Sequence, residues 1–393
     1  MTPAARVQSA IELLDSVITA ARTRGAPADR ILADWFRNNR FAGSKDRRAI
    51  RELVYSAIRA CGPLPENGRA AMLRLAQDDP ALAGLFDGSN YGPAPIGANE
   101  AAAEGGIAPP WLVGRLAASG IAGPEADALL DRAPLDVRAN TLKSSRDTLA
   151  LPVEARAIEA ANGLRLAPGA NVDQWQEYRG GLIEVQDGGS QLACEAVAAQ
   201  PGETVIDLCA GAGGKTLALA AAMENGGTLI AADTDRNRLW HLAPRAERAG
   251  ALVAETVLLD PDRELEALEA WHGKADAVLV DAPCSGTGTW RRNPEARWRL
   301  TPQELERFTK TQSHLLEVAA ELVRPGGRLV YVVCSLLAEE GPERIADFLA
   351  AYPDWRTDPP GLPLGLANGA GVRLTPFHDG TDGFFIARLE KPC

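Results

Sequence analysis

The fold of this chain is decided by one stretch, residues 203–235, which reads ETVIDLCAGAGGKTLALAAAMENGGTLIAADTD. A short apolar run, Val205–Leu208, is followed by a turn of small residues, by an Ala- and Leu-rich run of helical length, and by a second apolar run, Thr228–Ala232. Short apolar runs bounded by glycine predict buried strands, and the longer run between them predicts a helix. A strand, a helix and a strand in this order predict two parallel strands of an α/β domain.

The same alternation continues toward the end of the chain. Three further apolar runs predict three more strands, Glu255–Leu259, Ala277–Val280 and Leu329–Val333. The five strands predict a Rossmann-like α/β domain over residues 201–393, with helices on both faces of a parallel sheet. Ligands of such sheets bind beyond the carboxyl ends of the strands, so the residues that directly follow each strand are the candidate site residues.

The first of these strand ends is a glycine-rich loop. Small residues let the backbone approach a ligand closely, and the free amides at a helix start can hydrogen-bond to it. The glycine spacing fits neither the GxGxxG of dinucleotide loops nor the GxxxxGK[ST] of phosphate loops, so the loop alone does not identify its ligand. The candidate cofactor contacts here are Cys209, Ala210, Gly211, Ala212, Gly213, Gly214 and Lys215.

Carboxylates follow the next two strands. Asp233 ends the second strand, and Asp235 lies two residues further on. A carboxylate in this place binds the ribose hydroxyls of an adenosine ligand in dinucleotide folds, although a helix N-cap is the alternative role. Together with the preceding loop, Asp233 favours an adenosine ligand. Asp260 and Asp262 follow the third strand, and either is a candidate contact for the adenine amino group.

The last two strands each end in a cysteine followed by a serine. The fourth strand ends in Asp281-Ala-Pro-Cys-Ser285 and the fifth in Tyr331-Val-Val-Cys-Ser335. A buried structural thiol is the commoner fate of a cysteine, but the strand-end position favours function, because a helix start or a cation can activate a thiolate there. The spacing of all six cysteines and four histidines predicts free thiols and no metal site.

Composition limits the class of protein. With 393 residues the chain is long enough for two or three folding units, and its net charge of −11 disfavours nucleic-acid binding over the whole surface. Any such contact must be local, and residues 22–51 supply nine basic residues against three acidic ones, a pattern that a solvated helical surface also explains. No apolar run approaches the length that spans a bilayer, so we expect a cytoplasmic protein without a membrane partner.

The region before the sheet reads differently. Residues 5–60 repeat apolar side chains with the period of a helix and predict a helical bundle, whereas the Gly- and Pro-rich residues 88–110 predict an irregular connection. Two possible strands, Val137–Leu142 and Leu182–Val185, predict a small α+β segment. The predicted organisation is therefore an all-α domain over 1–90, an α+β segment over 105–200 and the α/β domain over 201–393.

The combined motifs resemble the Rsm/Nop family of RNA cytosine-5 methyltransferases, and specifically its bacterial ribosomal RNA branch, which carries a NusB-like helical domain at the N-terminus. The resemblance covers nearly the whole chain. Its further matches are Val185-Gln-Asp-Gly-Gly-Ser-Gln191, the run Thr289–Trp298, Asp382-Gly-Phe-Phe-Ile386 and Ala42-Gly-Ser-Lys-Asp-Arg-Arg48. Departures are small: Gly211 and Ala212 stand where the family often has Ala-Pro, and Val333 replaces a frequent threonine.

This resemblance implies a class I methyltransferase domain, S-adenosylmethionine as cofactor, and methylation of carbon 5 of a cytosine in RNA, most often small-subunit ribosomal RNA. It implies Cys334 as the covalent nucleophile, Cys284 as the residue that assists product release, and Asp281 as the contact to ring nitrogen 3 and the exocyclic amine. The implied cofactor contacts beyond the glycine-rich loop are Asp233, Asp260 and Asp281.

Basic and aromatic residues beyond the Pro-Cys motif suit phosphate contact and base stacking, although surface charge and core indoles account for half of them equally well. They are Trp290, Arg291, Arg292, Arg297, Trp298 and Arg299. We therefore expect an RNA partner and a monomer. The alternatives are a DNA or tRNA cytosine-5 methyltransferase and a catalytically silent RNA-binding ribosome assembly factor; a nicotinamide dehydrogenase is disfavoured by the glycine spacing.

Overall fold

The structure is a computed structural model that describes residues 1–393, and the chain divides into two compact units. The helical unit consists of Met1–Asp131 and Thr289–Thr301, and the sheet unit consists of Arg132–Gly288 and Pro302–Cys393. The predicted boundaries near residues 90, 105 and 201 stay a prediction, because compactness alone does not define domains that fold independently.

The helical unit is built around one long amphipathic helix. Its helices are α1 (Pro3–Thr23), α2 (Ala28–Asn38), α3 (Ser44–Ala60), α4 (Gly68–Ala76), α5 (Pro80–Ala83), α6 (Pro110–Ala118) and α7 (Pro124–Asp127). Helix α1 begins where the Thr2 side chain accepts the Ala5 amide, and its stripe from Val7 through Leu14 to Ile18 is buried. These side chains recur every three or four residues, so one face of the helix packs into the core. The predicted helical bundle is confirmed.

The segment Thr289–Thr301 packs into this helical unit, and its centre is the short 3-10 helix Pro294–Trp298. The fully buried Arg297 donates to the carbonyl oxygens of Ile58 and Cys61, at 2.7 and 2.6 Å. Glu295 accepts the amide of Ala28 at 2.9 Å. Arg297 thus satisfies carbonyls at the end of α3, and Glu295 places a negative charge at the start of α2, where the helix dipole favours it.

The predicted RNA contacts in this segment are therefore mostly wrong. Trp290 and Arg297 are fully buried, and Trp298 belongs to the helical core. Arg299 donates to the carbonyl oxygens of Gly25 and Ala26, at 2.7 Å each. The sequence shows charge and aromatic content, but it does not show that backbone carbonyls consume the guanidinium donors.

The sheet unit begins with a small antiparallel sheet. It contains β1 (Leu135–Ala139), β2 (Ala155–Ala157), β3 (Gly163–Leu166) and β4 (Ile183–Val185) in the order β2-β3-β1-β4, and the short helix α8 (Gln176–Arg179) precedes β4. Val137, Leu164 and Ile183 form the centre of its core. The two strands predicted near residues 137 and 182 are confirmed as β1 and β4, while β2 and β3 were not predicted.

The large sheet contains all five predicted parallel strands. They are β5 (Thr204–Asp207), β6 (Thr228–Asp233), β7 (Glu255–Leu258), β8 (Ala275–Asp281) and β9 (Val323–Val333), in the order β9-β8-β5-β6-β7. An antiparallel extension follows beyond β9, through β10 (Arg356–Thr357), β11 (Leu366–Asn368), β12 (Gly371–Leu374) and β13 (Phe384–Glu390). Strand β13 pairs antiparallel with β9, which the sequence did not predict.

Helices cover both faces of this sheet. They are α9 (Gly188–Val197), α10 (Gly214–Ala222), α11 (Arg236–Trp240), α12 (Leu242–Ala249), α13 (Glu264–Ala267), α14 (Pro302–Leu322), α15 (Pro342–Ala351) and α16 (Pro376–Asp379). Within β5, Val205 packs against α9 and α10, and Ile206 packs in the cluster that includes α14 and α15. This two-sided burial explains why the inner strands of the sheet read as continuous apolar runs, whereas the edge strand β7 is mostly exposed. None of the helices has the combined length and apolar character that crossing a bilayer requires.

Candidate active site

The glycine-rich loop after β5 is held by hydrogen bonds that only small residues allow. Gly211 and Gly213 have φ angles of 55° and 87°, and a Cβ atom on either glycine would overlap the side chain of Arg238 or Leu242. The backbone amide of Gly211 donates to Oδ2 of Asp233 at 2.7 Å. The loop then enters α10 at Gly214, where a Cβ would meet open space. The open helix start leaves room for a ligand.

Other loop residues have structural roles as well. Ala210 donates its amide to the carbonyl of Ala232 in β6, at 2.9 Å. The carbonyl of Ala212 accepts a hydrogen bond from Arg245 at 2.8 Å. Burial raises the pKa of Cys209 well above its usual range, so this thiol stays neutral. Their predicted contact with a cofactor stays a prediction.

Asp233 is the centre of the second strand end. Its Oδ1 accepts the amide of Asp235 at 2.7 Å, so both of its oxygens receive backbone donors. Each carboxylate oxygen can accept a second hydrogen bond, which leaves capacity for ribose hydroxyls. Asp235 instead caps α11, since its side chain accepts the amides of Asn237 and Arg238. The N-cap role is therefore realised at Asp235.

The structure does not bring Asp260 into the pocket. Its side chain is 71% exposed and lies 3.8 Å from the Arg263 guanidinium. Asp262 lines the pocket instead, with a φ of 67°, and its amide donates to Glu264 at 3.2 Å. Asp262 thus adopts the left-handed backbone conformation, which is uncommon for a residue other than glycine, at the point where the chain lines the pocket. Asp262 and not Asp260 therefore lines the pocket, and which of the two contacts the adenine stays a prediction.

Lys215 and Asp281 form an ion pair in which Lys215 Nζ lies 2.6 Å from Asp281 Oδ2. Burial lowers the pKa of Lys215, but the charge of Asp281 and its hydrogen bond, together with the nearby Cys194 and Cys334, raise the pKa above its usual value. Oδ1 of Asp281 has no hydrogen-bond partner in the protein. The ion pair thus fixes one carboxylate oxygen and leaves the other available.

The two strand-end cysteines meet. Cys284 Sγ and Cys334 Sγ are 3.4 Å apart, and both line the same pocket as Asp281. The hydrogen bond with Cys334, followed by burial, raises the pKa of Cys284 well above its usual range. Cys284 is therefore a neutral thiol near pH 7, directly beside a second sulfur.

These side chains share one cavity of about 640 Å³. Besides the predicted Cys209, Asp233, Asp281, Cys284 and Cys334, its lining includes Arg238, Asp262, Glu264, Lys310, Thr311 and His314. The residues predicted from the sequence did not include any of α14. The spacing of Lys310, Thr311 and His314 places them on one helix face, and this spacing is the available sequence signal. His314 Nε2 lies 2.9 Å from Glu264 Oε2, which links α14 to the turn at Asp262.

A doubly wound sheet with a glycine-rich loop after its first strand, an acidic second strand end and two apposed thiols defines a Rossmann-like methyltransferase domain. The sequence profile of the 16S rRNA methyltransferase RsmB/F family matches residues 194–390, and this chain belongs to that family.

Named relatives agree with this assignment. The chain is 35% identical to ribosomal RNA small subunit methyltransferase B of Xylella fastidiosa (strain Temecula1), over 72% of this chain and 67% of that protein. It is 40% identical to the protein of that name from Thermus thermophilus, over 53% of this chain and 50% of that protein. For the Synechocystis probable ribosomal RNA small subunit methyltransferase B the identity is 36%, and the match spans 65% of this chain and 60% of that protein. The chain thus matches about half to two thirds of the length of these relatives.

Solved structures share the fold. The crystal structure of the protein PH0851 has a TM-score of 0.77 and 26% identity, and the match covers 100% of this chain and 99% of that one. A methyltransferase homologue from Pyrococcus horikoshii has a TM-score of 0.58 at 29% identity, over 72% of this chain and 99% of that chain.

The cofactor is S-adenosylmethionine. The pocket fits it in three respects. Its volume lies within the usual range for small-molecule sites. The Gly214 end of the loop is open, and Asp233 keeps acceptor capacity. Directly before the lining residue Leu208, Asp207 has a buried Oδ1 without a hydrogen-bond partner, which suits the ammonium of the cofactor's amino-acid end.

Proposed function

We propose that this chain methylates carbon 5 of a cytosine in small-subunit ribosomal RNA, through a covalent bond between Cys334 and the base. The observation that carries the proposal is the distance of 3.4 Å between Cys284 and Cys334, in one pocket with the Asp281–Lys215 ion pair. A cysteine with a purely structural role needs no second thiol beside it in an open cavity. The proposed reaction uses two thiols, one that bonds to the base and one that assists release of the product.

Cys334 provides the step that makes carbon 5 reactive. Its thiolate attacks carbon 6 of cytosine and forms a C–S bond, while the electron pair of the C5–C6 double bond moves onto carbon 5. S-adenosylmethionine supplies the electrophilic methyl group that this carbon then takes. A base removes the carbon 5 proton, the electron pair of that C–H bond restores the double bond, and Cys334 leaves as a thiolate. Cys284, beside the C–S bond, assists this release.

Asp281 provides orientation and selectivity. Lys215 holds Oδ2 at 2.6 Å, and the free Oδ1 is available to the edge of the base that carries nitrogen 3 and the exocyclic amine. A carboxylate that accepts from the amine of cytosine would face a carbonyl in uracil and lose that hydrogen bond, which favours cytosine. The base must leave its stack to reach this pocket, so an unpaired loop cytosine is the easiest substrate.

The helical unit offers a surface for the RNA backbone. On α2, α3 and the turn between them, Arg30, Arg40, Lys45 and Arg48 are exposed, and Phe41 is 67% exposed among them. Cations that neutralise phosphates and an aromatic ring that stacks on a base are the usual elements of single-strand binding. We propose that the α2–α3 surface of this NusB-like unit, and not the buried segment around Arg297, binds the RNA backbone.

The test measures methyl transfer to RNA and formation of the covalent protein–RNA adduct separately. Purified variants are incubated with tritiated S-adenosylmethionine and small-subunit ribosomal RNA, and the products are resolved on denaturing gels. We expect Cys334→Ala to lose both methyl transfer and adduct, and Cys284→Ala to accumulate protein bound to RNA. Cys194→Ala is the matched control, since burial raises the pKa of Cys194 to about 11 and this thiol lies outside the pocket.

An RNA adduct in Cys334→Ala, or a Cys284→Ala variant that turns over like the unmodified protein, would contradict the two-cysteine scheme. Parallel reactions with tRNA and with single-stranded DNA of matched sequence decide between the alternative substrates. Loss of all transfer in the unmodified protein with every substrate would favour the silent assembly factor.

A further inference from the structure

One buried carboxylate joins the two cysteine loops. Glu340, which is fully buried, follows β9 and receives the serine that succeeds each cysteine. The Ser335 hydroxyl donates to Oε2 at 2.5 Å, and the Ser285 hydroxyl donates to the same oxygen. The Ser285 amide donates to Oε1 at 2.8 Å. The residues after Cys284 and Cys334 are therefore bound to the same side chain.

Two further hydrogen bonds fix Glu340 itself. Gln312 of α14 donates through Nε2 to Oε1 at 3.0 Å, and also to the carbonyl of Pro283 at 2.9 Å. The Tyr331 hydroxyl donates to the backbone carbonyl of Glu340 at 2.7 Å. Glu340 thus connects the loop after β8, the loop after β9 and helix α14.

Burial of a carboxylate costs free energy, so packing alone does not explain a glutamate at position 340. Burial raises the pKa of Glu340 above its usual value, and the hydrogen bonds from Ser285 and Ser335 offset this rise only in part. Isolated burial of a charge costs several kcal/mol, and no Lys, Arg or His pairs with this one. Four donors converge on its two oxygens, which is the arrangement that an ionised, acceptor-only group satisfies. A neutral side chain of similar size lacks that acceptor capacity.

We propose that Glu340 is a positioning residue for the methyl transfer: it holds the Cys284 and Cys334 loops in register, so that the two sulfurs stand 3.4 Å apart. This inference rests on the proposed function for its kinetic consequences. The negative charge has a secondary effect on Cys284, whose pKa is raised first by the hydrogen bond with Cys334 and by burial, and further by Glu340.

If Glu340 positions the two cysteine loops, three variants should slow different steps of the reaction. Ser335→Ala removes the tie to the Cys334 loop, so it slows adduct formation. Ser285→Ala removes the hydroxyl tie to the Cys284 loop, so it slows release. Glu340→Gln keeps the shape but turns an amide group toward two of the four donors, so it slows both steps. A displacement of about 1 Å costs on the order of 100-fold in rate, and we expect losses of roughly 10- to 100-fold.

The first measurement is the rate of adduct formation by the Cys284→Ala variant, with and without Glu340→Gln. The second is multiple-turnover methylation by protein that retains Cys284, again with and without Glu340→Gln. Glu339→Gln, the adjacent and partly exposed carboxylate, is the matched control. We expect Glu340→Gln to lower kcat and the rate of adduct formation, and to leave the KM for S-adenosylmethionine unchanged. A variant with unchanged rates, or one that loses cofactor affinity and thermal stability in proportion to its rate, overturns the positioning role.

A second readout does not depend on methyl transfer. Diamide oxidises two apposed thiols to a disulfide while it is itself reduced to the hydrazine, and mass spectrometry of peptides that contain Cys284 and Cys334 follows the reaction. We expect Glu340→Gln to slow this cross-link by tenfold or more relative to Glu339→Gln. If Cys284→Ala never forms an RNA adduct but the cross-link still depends on Glu340, the proposed function fails and the register role stands. If the cross-link is unaffected, the register role fails.

Discussion

Replacement of Arg297 by leucine tests whether this residue supports the helical unit or contacts RNA. Three carbonyl groups, those of Pro294, Ile58 and Cys61, lose their donor in this variant. Hydrogen bonds from a charged donor contribute about 1.5 to 3 kcal/mol each, which gives a gross loss of about 5 to 9 kcal/mol. Burial lowers the pKa of Arg297 to about 9, and leucine relieves this unfavourable burial, by about 5 kcal/mol.

The difference between these two contributions is 0 to about 4 kcal/mol, with its midpoint at a net destabilisation of about 2 kcal/mol. For a unit of this size, about 4 °C of midpoint shift accompanies each kcal/mol, so we expect the lowest thermal transition to fall by roughly 8 °C in differential scanning calorimetry. RNA affinity at a temperature where the variant is folded, and its dependence on salt, should be unchanged. An Arg297 that contacted phosphate would instead leave the midpoint intact and reduce the salt slope by about one.

Arg48→Leu is the matched control on the exposed α3 surface. It should show the opposite pattern, with an unchanged midpoint and a smaller dependence of RNA affinity on salt concentration. Equal midpoints for Arg297→Leu and the unmodified protein, combined with weaker RNA binding, would refute the structural reading of residues 289–301.

Three further predictions concern the pocket. Burial raises the pKa of Asp207 from 3.8 to about 7, so the folded state binds the extra proton and the free energy of unfolding falls as pH rises from about 4 to 7. Asp207→Asn should remove about 2 kcal/mol of that loss between about pH 5 and pH 7. Urea denaturation curves with the same pH dependence in both proteins would contradict this expectation. Asp262→Asn should weaken S-adenosylmethionine binding about tenfold in titration calorimetry, whereas Asp260→Asn should leave it unchanged, and the reverse order would show that the pocket lining is misassigned. Lys215→Met releases Asp281 and should reduce single-turnover methyl transfer roughly 10- to 100-fold; a variant that loses only cofactor affinity would show that the ion pair does not orient the base.

The sequence determined the parallel core of the sheet and the position of its site. Strands buried on both faces read as continuous apolar runs, so β5, β6, β8 and β9 could be predicted without any tertiary information, and the edge strand β7 followed from the regular alternation of strands and helices. Since the carboxyl ends of parallel strands share one edge, Asp233, Asp281, Cys284 and Cys334 were expected to meet, and they do. Local chain chemistry was enough for these features.

Only the tertiary structure decided the remaining features, because each depends on contacts between residues far apart in the chain. The sequence suggests that Arg297 is a surface cation. In the structure its guanidinium donates to carbonyls at the end of α3, more than 230 residues earlier in the chain. The sequence around Glu340 does not indicate that the serines of two different loops donate hydrogen bonds to its carboxylate. That Asp262 and not Asp260 lines the pocket is visible only in the folded turn after β7, because neither composition nor periodicity indicates which of two nearby side chains faces a cavity.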